Sequence, residues 1–448
     1  MLKRFKKIHI FGVAVFVLLG AFSLGGLVSA VVPGTNRLVS SKSTGGYAND
    51  YSTQSLISPN GKKVVYYSGA TNMMPTGGQG LFIKDLDSGN ISRVNISTSG
   101  VVANTGSTAV QRISANGRYI LFTSKSTNLI DGTTVSSTNP QLYLRDTVLM
   151  TTTLVSKSST GIISDGTYIS SLGVSSDGRF VSYTTNATNL SLDATDNTYH
   201  LYMLDRLDNS VSILDRKTDG TIGVSATNFG PTGAMSCDGT LIVFGYTTNL
   251  IIGDTWSQHN DIYLLDRRGA TDKITNLTKS ANSQGMAPTM SCNGDFIGLK
   301  SSATNLDTSI PILAGYYRPY VYDRVNGAFR VASMTSSGTA ANTQICGTFI
   351  NENPCVQVSD TGIATFAADD SSLTGVSGRQ IYINNIYTGS TELVSKNSSG
   401  IAGNNGSQLY NPTITADGST VSYASDSTNL IVGQTNLYTN VFTSLTGY

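Results

Sequence analysis

The stretch 113–129, ISANGRYILFTSKSTNL, returns in altered form six more times, and this repeat constrains the fold more than any other feature of the chain. The other copies open at 56–73, 174–190, 235–250, 290–306, 358–373 and 414–430. Asn116 and Gly117 suit the positive φ of a tight hairpin turn, and Tyr119, Leu121 and Thr123 alternate with Ile120, Phe122 and Ser124 as a strand requires. A third strand follows at 141–146 (QLYLRD) and a fourth at 153–156 (TLVS). The other copies place their third strands at 81–85, 200–205, 261–266, 320–323, 379–384 and 440–443. Four antiparallel strands per repeat, seven times over, predict an all-β fold: a seven-bladed β-propeller.

The two ends of the repeat array fit one another. Residues 37–40 (RLVS) read as a fourth strand without a blade, and the last copy stops after its third strand at 440–443. The N-terminal strand is therefore expected to join the last blade and close the ring, because an open ring would expose unpaired strand edges. Only two of the 28 acidic residues are glutamates, Glu352 and Glu392. Glutamate favours helices and aspartate favours turns, so this skew agrees with an all-β chain.

Lys3, Arg4, Lys6 and Lys7 precede an apolar run, 8–30, that ends in Val28-Ser29-Ala30. This pattern predicts a signal peptide over 1–30, or an uncleaved anchor as the alternative, followed by a single propeller domain over 31–448. Either reading exports the domain, as a secreted, periplasmic or cell-surface protein, with membrane contact only through that segment. Cleavage after Ala30 removes four positive charges from a formal +1 and leaves −3, a poor surface for nucleic acid.

The Ser-x-Asp/Asn-Gly turn, the alternation after it and the later aromatic strand ending in Asp resemble TolB-type (WD-like) propeller repeats, over nearly all of the chain beyond the leader. Residues 175–183 (SSDGRFVSY) are the nearest copy, and Ser236-Cys237-Asp238-Gly239 and Ala416-Asp417-Gly418 carry the same turn. The ending Thr-Asn-Leu, at 127–129, 188–190, 248–250, 304–306 and 428–430, is similar to that of exported bacterial members. The resemblance implies a propeller used for contacts and does not imply an enzyme. TolB itself has six blades and an extra domain, and this chain departs on both points.

Residues that recur in every blade would point in seven directions, so the repeated Asp, Asn, Gly and Thr read as turn and capping devices, and function is sought where the symmetry breaks. The loop between second and third strands shares one face of a propeller with the connection to the next blade. On that face the fourth copy places Asp254, Trp256 and His259, and the fifth places Tyr316, Tyr317, Arg318 and Tyr320. Trp, Tyr and Arg dominate binding hot spots, which makes Trp256, His259, Tyr316, Tyr317 and Arg318 the expected ligand-binding set. The function expected is a non-catalytic, monomeric binding module for a protein or a cell-surface or envelope glycan.

The alternative is an extracellular carbohydrate-active enzyme, a lyase or glycosidase on the same scaffold. Two glutamates, Glu352 and Glu392, supply no evident Glu pair for glycoside hydrolysis, though aspartate pairs stay open, and two histidines beyond the leader, His200 and His259, do not make a histidine-rich metal centre. No Gly-x-Ser-x-Gly elbow occurs. No catalytic residue, metal site or cofactor is assigned. The oxygen-rich groups Asp193, Asp196, Asn197 and Asp254, Asn260, Asp261 lack EF-hand spacing and offer Ca²⁺ only a weak site.

Four cysteines in an exported chain permit three pairings. Cys346 with Cys355 is the local bridge expected, around Asn353-Pro354. Cys237 and Cys292 hold matching turn positions in neighbouring copies, a separation expected to be too wide for a bridge.

Overall fold

In the computed structural model the described residues are 34–75, 77–105, 108–135, 138–224, 232–253, 260–341, 345, 354–407 and 412–448. The leader, the segment with Asp254, Trp256 and His259, and Cys346 lie outside them. Seven four-stranded antiparallel sheets follow one another along the chain. The second blade, for example, runs Thr108–Ile113, Tyr119–Ser124, Gln141–Asp146 and Thr151–Leu154, from the inner strand outwards. The chain is a seven-bladed propeller, as the repeat predicts.

The ring closes as expected. Asn36–Leu38 forms the outer strand of the seventh blade, with Arg37 opposite Thr443 and Leu38 opposite Phe442. Just beyond it, Val39 donates its backbone N–H to the Val441 carbonyl at 2.8 Å.

Each blade begins with a self-capping hairpin. In the second blade the Ser114 hydroxyl lies 2.8 Å from Asn116 Oδ1 and accepts the Tyr119 backbone N–H, while Gly117 holds φ at +70°. The third blade repeats this with Ser175, Asp177 and Gly178. A Cβ on Gly178 would meet the Tyr119 ring at 2.4 Å, so that turn needs glycine for space as well as for conformation. The Asp ending the third strand caps the next turn: Asp146 Oδ1 accepts the backbone N–H groups of Val148 and Leu149.

Packing follows the same sevenfold plan. Second and third strands are joined by cross-strand aromatic pairs, Phe122 with Tyr143 at 5.5 Å, Tyr183 with Tyr202 at 5.7 Å and Phe244 with Tyr263 at 6.0 Å between ring centroids. The buried apolar side chains form seven clusters, each shared by two adjacent blades. One spans the seam and unites Val39 and Val441 with Val64, Tyr66 and Phe82. The last blade is therefore held to the first by the same burial that holds every other pair.

Two expectations are corrected. Cys237 and Cys292 are joined by a disulfide with their Cα atoms 4.8 Å apart. The hairpin turns converge on the channel rim, where a belt of seven hydrogen bonds of 2.7–3.1 Å links each turn to the next: Ala416 to Pro59, Asn60 to Ala115, Asn116 to Ser176, Ser176 to Cys237, Cys237 to Cys292, Asn293 to Asp360 and Asp360 to Ala416. Equivalent turn positions are thus neighbours rather than distant. The third strand of the fifth blade is Arg318–Asp323, so it starts two residues earlier than 320–323 and takes Arg318 out of the loop. Arg318 pairs there with Ser301, and Pro319 with Lys300.

Candidate binding face

The face formed by the second-to-third loops and the inter-blade connections is tied together by the Thr-Asn pair that ends most repeats. In the second blade Asn104, from the connection, accepts the Thr127 backbone N–H at 3.1 Å and donates to the Thr127 hydroxyl at 2.7 Å. Asn128 accepts the Asn104 N–H and donates to the Val102 carbonyl. Asn282 with Thr304 and Asn305, and Asn404 with Thr428 and Asn429, repeat this clasp. The repeated Thr and Asn are therefore structural, as their recurrence implied.

Symmetry breaks at the residue opening each third strand, which is Gly80, Gln141, His200, Asp261, Arg318, Gln380 or Asn440. Gln141 accepts the Ser156 hydroxyl and donates to the Ser164 carbonyl, pinning the inter-blade connection, and Gln380 does the same with Ser395 and Gly403. In the fifth blade Arg318 fills this place. Its side chain is fully buried, and its guanidinium donates to the carbonyls of Ala341 at 2.8 Å, Leu313 at 2.9 Å and Tyr316 at 3.3 Å. It is a clamp on the loop rather than a group that reaches solvent.

The clamp presents its neighbours. The guanidinium sits 5.4 Å from the Tyr316 ring centroid, and Tyr316 and Leu313 remain exposed. Tyr317 is half-buried, takes the Gln284 amide on its hydroxyl and lies against the buried Lys300 amine at 5.9 Å. Of the five expected site residues, the structure places Tyr316 and Tyr317 side by side on this face and Arg318 beneath them; Trp256 and His259 lie outside the described residues.

The same face carries exposed aliphatic groups that residue-type reasoning passed over: Leu192, Ile252, Val432 and Leu437, with Tyr438 beside the last. Their signal was available, since each lies in a second-to-third loop where a polar residue would serve. The opposite face also has exposed apolar turns, at Val148, Leu149, Leu207, Val325 and Tyr387.

His200 occupies the anchoring position of the third blade. Its Nδ1 lies 3.0 Å from Asp215 Oδ2, and its Nε2 lies 3.0 Å from Asp196 Oδ1 and 3.1 Å from the Thr198 hydroxyl. Asp215 also accepts from the Tyr246 hydroxyl of the next blade at 2.7 Å and from the Leu201 N–H. A hydroxyl, an imidazole and a carboxylate in sequence look like a proton relay, but the ring is buried and bound at both nitrogens. Burial disfavours its charged form, yet the hydrogen bonds and charges of Asp215 and Asp196 outweigh this and raise its pKa above the ordinary histidine value.

The oxygen-rich loops are also engaged. Asp193 pairs with Arg216, Asp196 is held by His200 and Thr198, and Asp261 accepts from Thr278 and Asn276. Among the described residues no group of three His, Cys, Asp or Glu side chains is placed to hold a metal ion. Cys355 is disulfide-bonded.

By sequence the chain matches no protein-family profile and no curated protein. Solved structures share its fold at low identity. An oligogalacturonate lyase from Vibrio parahaemolyticus aligns with a TM-score of 0.50 at 11% identity, covering 89% of this chain and 90% of that one. The β-propeller domain of the Trilobed protease from Pyrococcus furiosus gives 0.48 at 12%, covering 88% and 95%. TolB from Acinetobacter baumannii gives 0.40 at 15%, covering 78% of this chain, which spans 64% of that protein's length.

Proposed function

We propose that this seven-bladed propeller is an exported, monomeric binding module, and that it contacts a protein or an envelope glycan through the face bearing Tyr316 and Tyr317. The observation that carries this reading is the buried Arg318, whose three carbonyl contacts fix the loop that displays Tyr316 and Leu313. A loop already ordered before binding loses little entropy when a partner arrives, so its exposed ring and aliphatic side chain are ready contact area. His200, buried between two carboxylates with both ring nitrogens hydrogen-bonded, favours a structural over a catalytic use of the site's described histidine.

Export rests on the basic, apolar and small-residue pattern of 1–30 and on disulfide-bonded cysteines. Probing the protein against an array of glycans and against fractionated envelope proteins tests the function. Saturable binding without turnover of the bound molecule supports it. Chemical conversion of a bound glycan would overturn the non-catalytic reading.

A further inference from the structure

The propeller channel holds a cation with no acid among the described residues that line it. A cavity of about 140 Å³ is lined by the inner strands of all seven blades, and Arg112 is the one charged side chain among its described lining residues. From the second blade its guanidinium reaches across two others: Nε donates to the Leu172 carbonyl at 2.9 Å, Nη2 to the Gly233 carbonyl at 2.9 Å, and Nη1 to the Gln111 carbonyl at 2.7 Å. A guanidinium has five N–H donors, so two remain after these three. The Tyr168 phenol is the one other titratable group that acts on it, and burial pushes its pKa down to about 10, which leaves it charged at neutral pH.

The cavity's described lining offers no carboxylate.

Two buried arginines have a different setting. Arg93 braces Gly77, Gly78 and Gln79, and Arg318 braces Leu313, Tyr316 and Ala341, each within the loops of its own blade and the connection leaving it. Arg112 bridges three blades and faces the cavity. A cation partly withdrawn from water without a counter-charge is costly, and an anion with two acceptor oxygens would meet its free donors.

We propose that the channel beside Arg112 binds an oxyanion group, a carboxylate or a phosphate, received by the two free N–H donors of the Arg112 guanidinium. The test is isothermal titration of the protein with inorganic phosphate and, separately, with malonate, at fixed ionic strength with chloride as the balancing anion. One saturable site for either anion is expected, and the pair of titrations tells a phosphate site from a carboxylate site. Arg112→Gln should weaken binding at least tenfold, and Arg112→Lys, which keeps the charge without the fork, by less. Arg112→Lys also decides the matter if Arg112→Gln does not fold. No saturable binding of either anion by the parent would overturn the proposal. So would parental affinity in a folded Arg112→Gln or Arg112→Lys variant.

Discussion

Cys237 donates its backbone N–H to the Cys292 carbonyl at 2.8 Å and is bonded to the same residue through sulfur. The covalent link therefore duplicates one of the seven hydrogen bonds that join the hairpin turns around the channel. It closes a loop of 55 residues in sequence, so its main effect falls on the unfolded chain. Replacing both cysteines with serine should cost about 2–4 kcal/mol in a denaturant titration while leaving the far-ultraviolet spectrum of the folded protein unchanged. Mass mapping of non-reduced peptides should recover the Cys237–Cys292 link, and a second peptide joining Cys346 to Cys355. Free thiols at the latter pair would remove that bridge from the account.

Closure by the N-terminal strand predicts a defect far larger than the loss of a surface segment. Val39 is fully buried in the cluster that joins the seventh blade to the first, and Asn36 accepts the Tyr423 hydroxyl at 2.8 Å. Burying a valine contributes roughly 1.5–3 kcal/mol, before strand pairing is counted. A chain starting at Gly45 should melt well below one starting at Val31 and aggregate through the bared edge of Asn440–Leu445. Equal melting and solubility would show that the ring closes without this strand.

His200 predicts a pH dependence of definite sign. Its folded-state pKa is raised above 6.5, so the stability it contributes is complete below that value and is lost as pH rises through the folded pKa. Lys84, which burial and then Arg37 push down to about 8, acts in the opposite sense at higher pH, so the measurement belongs between about pH 5.5 and 7.5. Across that window the parent's denaturation midpoint should fall as pH rises. His200→Gln, the residue that Gln141 and Gln380 supply at this position, should flatten the slope. A parent midpoint that rises with pH would contradict the assignment.

The repeat made the blades, their number and the closing strand legible, because strand alternation and turn chemistry are local and recur seven times. What lay hidden was contact between distant copies. Cys237 and Cys292 look remote in sequence, and only the convergence of turns on the channel rim brings them together. Arg318 has the composition of a hot-spot residue, yet the anchoring position it fills points inward, as Gln141 and Gln380 do in their own blades. Arg112 gave no signal, since an arginine in an inner strand reads as an irregularity until its three carbonyl partners come from three blades. The partner of each Thr-Asn ending, such as Asn104 for Thr127 and Asn128, lay about two dozen residues upstream and was missed for the same reason.

If the face over the fifth blade and its neighbours does the binding, affinity in single-site variants will show it. With a ligand from the glycan and envelope screen, Tyr316→Ala, Tyr317→Ala and Trp256→Ala should be compared with Lys279→Ala, each checked for an unchanged melting temperature. A central anchor should cost about 2 kcal/mol, roughly a thirtyfold loss of affinity, and the lysine far less. Folded tyrosine and tryptophan variants that all bind like the parent would contradict the claim and move the site off this face.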